Sequence, residues 1–469
     1  MKNLNLWCLV PLLFGLTSAH SSERPNVLFI VVDDLNVDIA SYGHPIVKTP
    51  NLDQLRERSM QFNRAYSQYP LCNPSRNSFL TGLYPGTSGN LNNADHIRDL
   101  IPDVVTLPQL FKENGYRTVS TGKIFHQRDP QSWTQISDMH TGGLLPMDRQ
   151  PRFYQQGEEG RTKGPGRLIV DETVPWFEWR SVVDGEEFLK DGQIARATIN
   201  RADEIAEDGV PFFLGIGFSR PHDPFFAPQR FFDMYPLDSL ELPETPEGAS
   251  EVPDHAFYYV FKDAFDQMDR QDKLEAMRAF YAGISYMDEQ LGLVMDHLEK
   301  KGLLDNTVIV FIGDHGYQVG EKNYWNKALL FERSCRAPML ISAPGKTLEG
   351  GSTDRIVEFI DIYPTLVELC DLEAPANLDG TSLVPLLMNP DAPWHEIAYS
   401  YCNADRSVRD PRFRYIVWSG GGHALFDHEQ DPGEHFNLAY NPEYATVVER
   451  MRGLIDEMPE PSKKTRPQS

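Results

Sequence analysis

The chain is short of basic residues, cysteine and long apolar runs. Lysine and arginine total 44 against 68 aspartate and glutamate, a formal net charge of −24. Non-specific nucleic-acid binding needs a basic surface, so the balance argues against that class. The same acidity repels a polyanion at long range, so an anionic ligand must be held by a local cationic pocket. The 5 cysteines (Cys8, Cys72, Cys335, Cys370 and Cys402) are widely spaced and form no CxxC pair. That excludes a disulfide scaffold and a cysteine zinc site. Four of them lie beyond the first apolar run; if Cys72 is taken up by other chemistry, at most one disulfide is open to Cys335, Cys370 and Cys402, with buried free thiols as the alternative. Only the first residues carry a sustained apolar run, Leu6 to Leu16, preceded by Lys2 and followed by Thr17-Ser18-Ala19. This pattern reads as a signal peptide over 1–19 and predicts export to a periplasm or the outside, a membrane anchor being the alternative. No later run reaches membrane-spanning length.

What is present is globular. The apolar fraction is 41% and the charged fraction 24%, the proportions of a folded soluble chain. A length of 469 residues suits one large and one small domain. Val27 to Val32 is six consecutive apolar, mostly β-branched residues, the mark of a strand buried on both faces. Tyr116 to Thr121, Phe212 to Phe218, Thr307 to Ile312, Met339 to Ile341 and Ile356 to Phe359 read as further strands. Helices are predicted after Pro50, over Leu107 to Gly115, over Gln193 to Ala206 and from Lys273 to Lys300; a short one begins near Pro364. The alternation predicts an α/β fold with a large, mostly parallel central sheet flanked by helices over 20–374. Short strand candidates at Ala398–Cys402, Phe413–Trp418 and His423–Asp427, then a helix from Tyr444 to Glu457, predict a smaller α+β domain with an antiparallel sheet over 375–458. Residues 127 to about 180 read as an irregular insert, a cleft wall or lid, and 459–469 as a disordered tail. There is no internal repeat.

Two constellations carry chemistry. Asp33-Asp34 follows one buried strand, and Gly313-Asp314-His315-Gly316 follows another. Ligands of α/β sheets gather beyond the carboxyl ends of strands. Three aspartates and a histidine meeting there would hold a hard divalent cation, calcium first and magnesium second. An isolated Asp-Asp, by contrast, reads as one helix cap and one solvated acid. The second constellation is Leu71-Cys72-Asn73-Pro74-Ser75-Arg76-Asn77-Ser78-Phe79-Leu80-Thr81-Gly82, a cysteine at a helix start with an arginine one turn on.

That run resembles the signature of the formylglycine-dependent sulfatases, of alkaline-phosphatase-like fold. The likeness extends from residue 25 to about 440. It takes in Pro25-Asn26-Val27-Leu28-Phe29-Ile30 with Asp33-Asp34, Gly122-Lys123-Ile124-Phe125-His126, Leu425-Phe426-Asp427 and Asp431-Pro432. Arg220-Pro221-His222-Asp223-Pro224-Phe225, with histidine at 315, resembles the iduronate-2-sulfatase branch. The resemblance implies that Cys72 is oxidised to formylglycine (3-oxoalanine) by a formylglycine-generating or sulfatase-maturating enzyme. The hydrated aldehyde would attack the sulfur of a sulfate ester on a sulfated carbohydrate, and its second hydroxyl would then expel sulfate. It implies Asp33, Asp34, Asp314, His315 and the residue 72 oxygen as metal ligands. Arg76, Lys123, His126 and Lys327 would form a cationic ring, and His222 the proton donor to the leaving oxygen. Read singly, each of these has a plain alternative as a surface or packed residue. Trp325, Arg406 and Arg409 are candidate substrate contacts, the arginines suiting a carboxylate or second sulfate; surface arginines on a hairpin are the alternative. Two other functions remain open: a phosphodiester or phosphonate monoester hydrolase of the same superfamily, and a non-catalytic carbohydrate binder.

Overall fold

The computed structural model describes residues 24–136, 152–153, 177–257 and 265–460. The expected signal peptide (1–19), most of the 127–180 insert and nearly all of the 459–469 tail lie outside these residues.

An eight-stranded sheet organises the chain. In chain order its strands are β1 (Asn26–Val32), β2 (Met60–Tyr66), β3 (Arg117–Gly122), β4 (Gln135–Ile136), β7 (Phe212–Phe218), β9 (Thr307–Gly313), β10 (Met339–Ser342) and β11 (Ser352–Glu358). Their spatial order is β11-β2-β10-β9-β1-β7-β3-β4. Only β10 runs antiparallel to its neighbours. The run of apolar residues in β1 is explained by its place. It lies between β7 and β9, parallel to both, and Val27 to Val32 are 0% exposed.

The pleat of β1 sends alternate side chains to opposite cores. Leu28, Ile30 and Val32 pack with α4 (Lys190–Asp208) and α5 (Arg270–Lys300) through Ile194, Ile284 and Leu291. Val27, Phe29 and Val31 belong to the other core, with Leu107 and Phe111 of α3 (Leu107–Glu113) and Leu366 of α6 (Ile362–Leu369). Each such fully buried aliphatic side chain contributes about 2 kcal/mol, so both faces must stay apolar. A shorter helix, α1 (Pro50–Glu57), abuts α5, where Asn51 meets the backbone at Gly292. A Cβ at Gly292 would overlap the Asn51 amide. A capping box, Asp269 with Asp272, starts α5.

Register decides where the functional residues gather. Val32 pairs with Gly313 and with Phe218, and Gly122 pairs with Gly217. Strands β1, β9, β7 and β3 therefore end at one level of one sheet edge. The segments that begin with Asp33, Asp314, Ser219 and Lys123 all leave from it. Strand β2 runs in the same direction, and α2 (Cys72–Thr81) starts six residues after its end.

Among the described residues two smaller sheets are also present. Strand β6 (Trp179–Asp184) lies parallel to β8 (Phe225–Pro228) and antiparallel to β5 (Arg152–Phe153). The end of the expected irregular insert is thus regular strand. The C-terminal sheet is antiparallel: β12 (Ala398–Cys402), β13 (Asp405–Arg409), β14 (Phe413–Val417) and β15 (His423–Asp427). Met451 of α7 (Ala445–Glu457) packs on Val408, Tyr415 and Leu425. The four cysteines among the described residues, Cys72, Cys335, Cys370 and Cys402, are free and buried.

Candidate active site

Asp33 and Asp34 leave β1 in different directions. Asp34 has φ 63, a left-handed conformation that aspartate tolerates better than most residues. Its backbone N–H donates to Asp314 Oδ1 at 3.0 Å, while Asp33 N–H donates to Phe218 O at 3.1 Å and Asp314 N–H to Val32 O at 3.0 Å. The sheet edge thus brings three carboxylates together, none more than 2% exposed.

Helix α2 points its first turn at them. All ten of its residues are buried, and the chain turns away at Gly82, in the left-handed region at φ 69. Arg76, fully buried, is committed to the carboxylates. Nε donates to Asp314 Oδ2 at 2.9 Å and an Nη to Asp33 Oδ1 at 3.0 Å, while the other Nη donates to the carbonyls of Lys123 and Ile124. Lys123 Nζ donates to Asp33 Oδ2 at 2.7 Å. Lys327 Nζ reaches both oxygens of Asp34, at 2.5 and 2.7 Å, and lies 3.5 Å from Cys72 Sγ. His222 Nε2 is 3.9 Å from Asp34 Oδ2, and its Nδ1 meets the carbonyl of Asp223 at 2.5 Å. His126 is the neighbouring imidazole that acts on the Cys72 thiol, and its Nδ1 is buried with no hydrogen-bond partner among the described residues. The sequence candidates Asp33, Asp34, Cys72, Arg76, Lys123, His126, His222, Asp314, His315 and Lys327 thus lie around one point.

The electrostatics follow from that crowding. Burial would raise the Asp33 carboxyl, but the charges of Lys123 and Arg76 outweigh it and hold it well below the usual range. Burial prevails at Asp34 and at Asp314, the latter pushed up to about 6. At Cys72, burial and Asp33 oppose the thiolate, yet Lys123, Lys327 and the His126 imidazole prevail, and the thiol lies well below its ordinary value. Residue 72 therefore occupies a point where an anion is stabilised. The His222 imidazole is opposed by burial but raised well above its ordinary value, first by Asp34, so its protonated form is favoured.

The donor set fits a hard divalent cation. Potential ligand atoms lie within 4.8 Å of one another in two groups that share Cys72: Asp33, Asp34, Cys72 and His222, and Cys72, Asp314 and His315. The stronger observation is His315 Nε2. Among the described residues it has no nitrogen or oxygen hydrogen-bond partner, lies 3.5 Å from Asp34 Oδ1 and 3.6 Å from Asp314 Oδ1, and has the Cys72 sulfur as its other neighbour. A buried imidazole nitrogen beside two carboxylates is an arrangement a cation completes. The third cluster, Glu332, His428 and Glu434, is different. Arg414 occupies it, bonded to Glu332 at 2.7 Å and Glu434 at 2.8 Å, so it is an ion-pair network.

The sugar-facing candidates fare differently. Trp325 is 1% exposed, part of the core beneath the site. Arg409 is 3% exposed and pairs with Glu332 across the junction with the C-terminal sheet. Its guanidinium is thus committed inside the protein. Arg406 lies over the Tyr401 ring at 4.9 Å. Strand β13, which carries both arginines, went unread because its residues are polar. Sequence reasoning also missed Lys190 and Asp191 at the start of α4. Burial pushes Lys190 down to about 8, and the charges of Asp33 and Lys123 act on it. A Lys-Asp pair at a helix start carries no sequence signal beyond favourable dipole chemistry for the acid.

A large mixed sheet with acidic and cationic side chains gathered at one edge defines a hydrolase site for an anionic ester. Residues 25–372 match the family model described as Sulfatase, and residues 320–460 that described as N-sulphoglucosamine sulphohydrolase, C-terminal. A sulfatase of Formosa agariphila is 31% identical over 454 residues, 92% of this chain and 86% of that one. The iduronate 2-sulfatase of Homo sapiens is 30% identical over 489 residues, 86% and 87% of the two chains. Among solved structures, the phosphonate monoester hydrolase of Silicibacter pomeroyi superposes with a TM-score of 0.74 at 22% identity, covering 92% and 94%. The chain belongs to the sulfatase family. It is a sulfuric ester hydrolase.

Proposed function

We propose that the chain removes sulfate esters from a sulfated carbohydrate, with residue 72 as formylglycine and a divalent cation, calcium before magnesium, held by Asp33, Asp34, Asp314 and His315. The observation that carries this reading is His315 Nε2, buried between Asp34 and Asp314 with no nitrogen or oxygen partner among the described residues and facing residue 72. The cation supplies a Lewis acid and formylglycine a nucleophile bearing two hydroxyls. The chain's own residues do the rest. Three carboxylates, Asp33, Asp34 and Asp314, face three permanent cations, Arg76, Lys123 and Lys327. With His222 protonated and a dication added, the site is positive, as an ester monoanion requires.

Lys123 and Lys327, less tightly enclosed than Arg76, lie where charge builds on the sulfuryl oxygens. Arg76 acts through Asp33 and Asp314, whose positions it fixes, and His126 orients residue 72. His222 donates its Nε2 proton to the bridging oxygen as the S–O bond breaks, so the sugar leaves as an alcohol and not as an alkoxide. The carbohydrate class rests on the iduronate 2-sulfatase relatives. Export, maturation by a formylglycine-generating enzyme and a domain boundary near residue 374 belong to the same reading.

Comparing kcat/KM for an aryl sulfate and an aryl phosphodiester, with sulfate release from sulfated disaccharides, tests it. Preference for the sulfate ester and sulfate release from sugar are expected. Preference for the phosphodiester or a phosphonate monoester would replace this reading with that of the structural neighbour.

A further inference from the structure

The turn that carries His222 is held by a carboxylate outside the catalytic group. Asp191, the second residue of α4, is 0% exposed. One of its oxygens accepts the backbone N–H of Ser219 at 2.7 Å, and the other that of Arg220, also at 2.7 Å. Both N–H groups belong to the turn that leaves β7 at the active-site edge. The opposite side of the turn is held by Arg220, whose guanidinium donates to the carbonyls of His222 and Pro224. Within it, His222 N–H donates to Ser219 O at 2.9 Å. Pro221 packs against α5 at Gly283, where an added Cβ would lie 3.4 Å from Pro221 Cα. One side chain of this turn, His222, faces the catalytic carboxylates, 3.9 Å from Asp34.

We propose that Asp191 is a positioning residue for proton donation by His222, fixing the turn 219–224 so that Nε2 faces the leaving oxygen. A buried acid with two consecutive backbone donors also occurs away from the site, at Asp288, which holds the N–H groups of Asn51 and Leu52; what sets Asp191 apart is that its two donors open the turn that carries His222. Here both oxygens are committed to the two residues through which the chain enters the turn, so the carboxylate sets its height above the sheet edge. A displacement of about 1 Å in a reacting group costs on the order of 100-fold in rate. The loss should therefore appear only where a proton is needed. This inference rests on the proposed role of His222.

The test is a leaving-group series. The kcat/KM of the mature, metal-loaded enzyme is measured on substituted phenyl sulfates, from 4-nitrophenyl to phenyl, for wild type, H222A and D191N. Nitrophenolate departs readily without a proton, and phenolate far less so. General-acid help is on the order of 100-fold or more. We expect H222A and D191N each to lose at least about 10-fold more on phenyl sulfate than on 4-nitrophenyl sulfate, so that both slopes against phenol pKa steepen. The amide introduced by D191N keeps one acceptor oxygen, so the slope of that variant should lie between those of wild type and H222A. If H222A steepens while D191N loses equally on all esters, Asp191 is merely structural and the proposal fails, while the role of His222 stands. If H222A does not steepen, the role of His222 fails and the proposal with it. Should D191N not fold, R220Q releases the same turn from its other side and must steepen the slope likewise; an unchanged slope there overturns the proposal.

Discussion

Lys327 Nζ lies 2.5 and 2.7 Å from the two oxygens of Asp34 and 3.5 Å from Cys72 Sγ. One ammonium thus touches both a proposed metal ligand and the nucleophile position. Lys327 also follows Trp325 and Asn326, which are buried, so the backbone beneath it is anchored. The K327A variant should lower kcat on an aryl sulfate by about 100-fold or more, the scale on which one preorganised donor to developing charge acts. Lys327→Arg should rescue little, because a planar fork does not fit a site shaped for a point charge. Steady-state kinetics on both variants reads this out.

Chelation should abolish turnover and also lower the thermal midpoint. Asp33, Asp34, Asp314 and His315 are all buried, and a cation binding only the folded chain at 100 times its Kd adds about 2.7 kcal/mol of stability. Calcium should restore both properties; magnesium, which demands a tighter octahedron, should restore less. Scanning calorimetry with and without chelator gives a readout independent of activity.

Acid should loosen the junction with the C-terminal sheet. Glu332 accepts from Tyr66 at 3.0 Å and pairs with Arg414 at 2.7 Å and Arg409 at 3.5 Å. Burial would raise its carboxyl, but Arg409 and Arg414 outweigh it and hold it well below the usual range. A carboxyl lowered in the folded state gives stability that is full above the unfolded value of about 4.3 and is lost as pH falls through the folded value. The E332Q variant should be less stable than wild type by about 3 kcal/mol at pH 7. That gap should shrink below about pH 4. Denaturant melts at pH 7, 4 and 3 measure it.

The same junction shows what the sequence could and could not convey. Strand β1 and the aspartates after it were legible because burial on both faces demands an unbroken apolar run, and strand ends are where ligands collect. The Cys72 run was legible as a motif. Strand β13 was not: Asp405-Arg406-Ser407-Val408-Arg409 looks solvated, yet Ser407 and Arg409 face Arg414 and Glu332. Charged residues look exposed in sequence when their partners lie on another element. Asp191 escaped for a related reason, since its partners are backbone N–H groups 28 and 29 residues away.

Arg409 makes that difference measurable. As a sugar contact, Arg409→Ala would raise KM and leave stability alone. With its guanidinium buried against Glu332, the variant should lose about 3 kcal/mol of stability, while the folded enzyme keeps its KM for sulfated disaccharides. Arg406→Ala is the matched surface control and should shift stability by no more than about 0.5 kcal/mol.

The most direct test of the account is the mass of the peptide carrying residue 72, taken from natively produced, active protein. Conversion of the Cys72 thiol to formylglycine lowers the mass by about 18 Da, and specific activity should rise in proportion to the converted fraction. Full sulfate-ester turnover by protein whose residue 72 retains the unshifted mass of cysteine would contradict it.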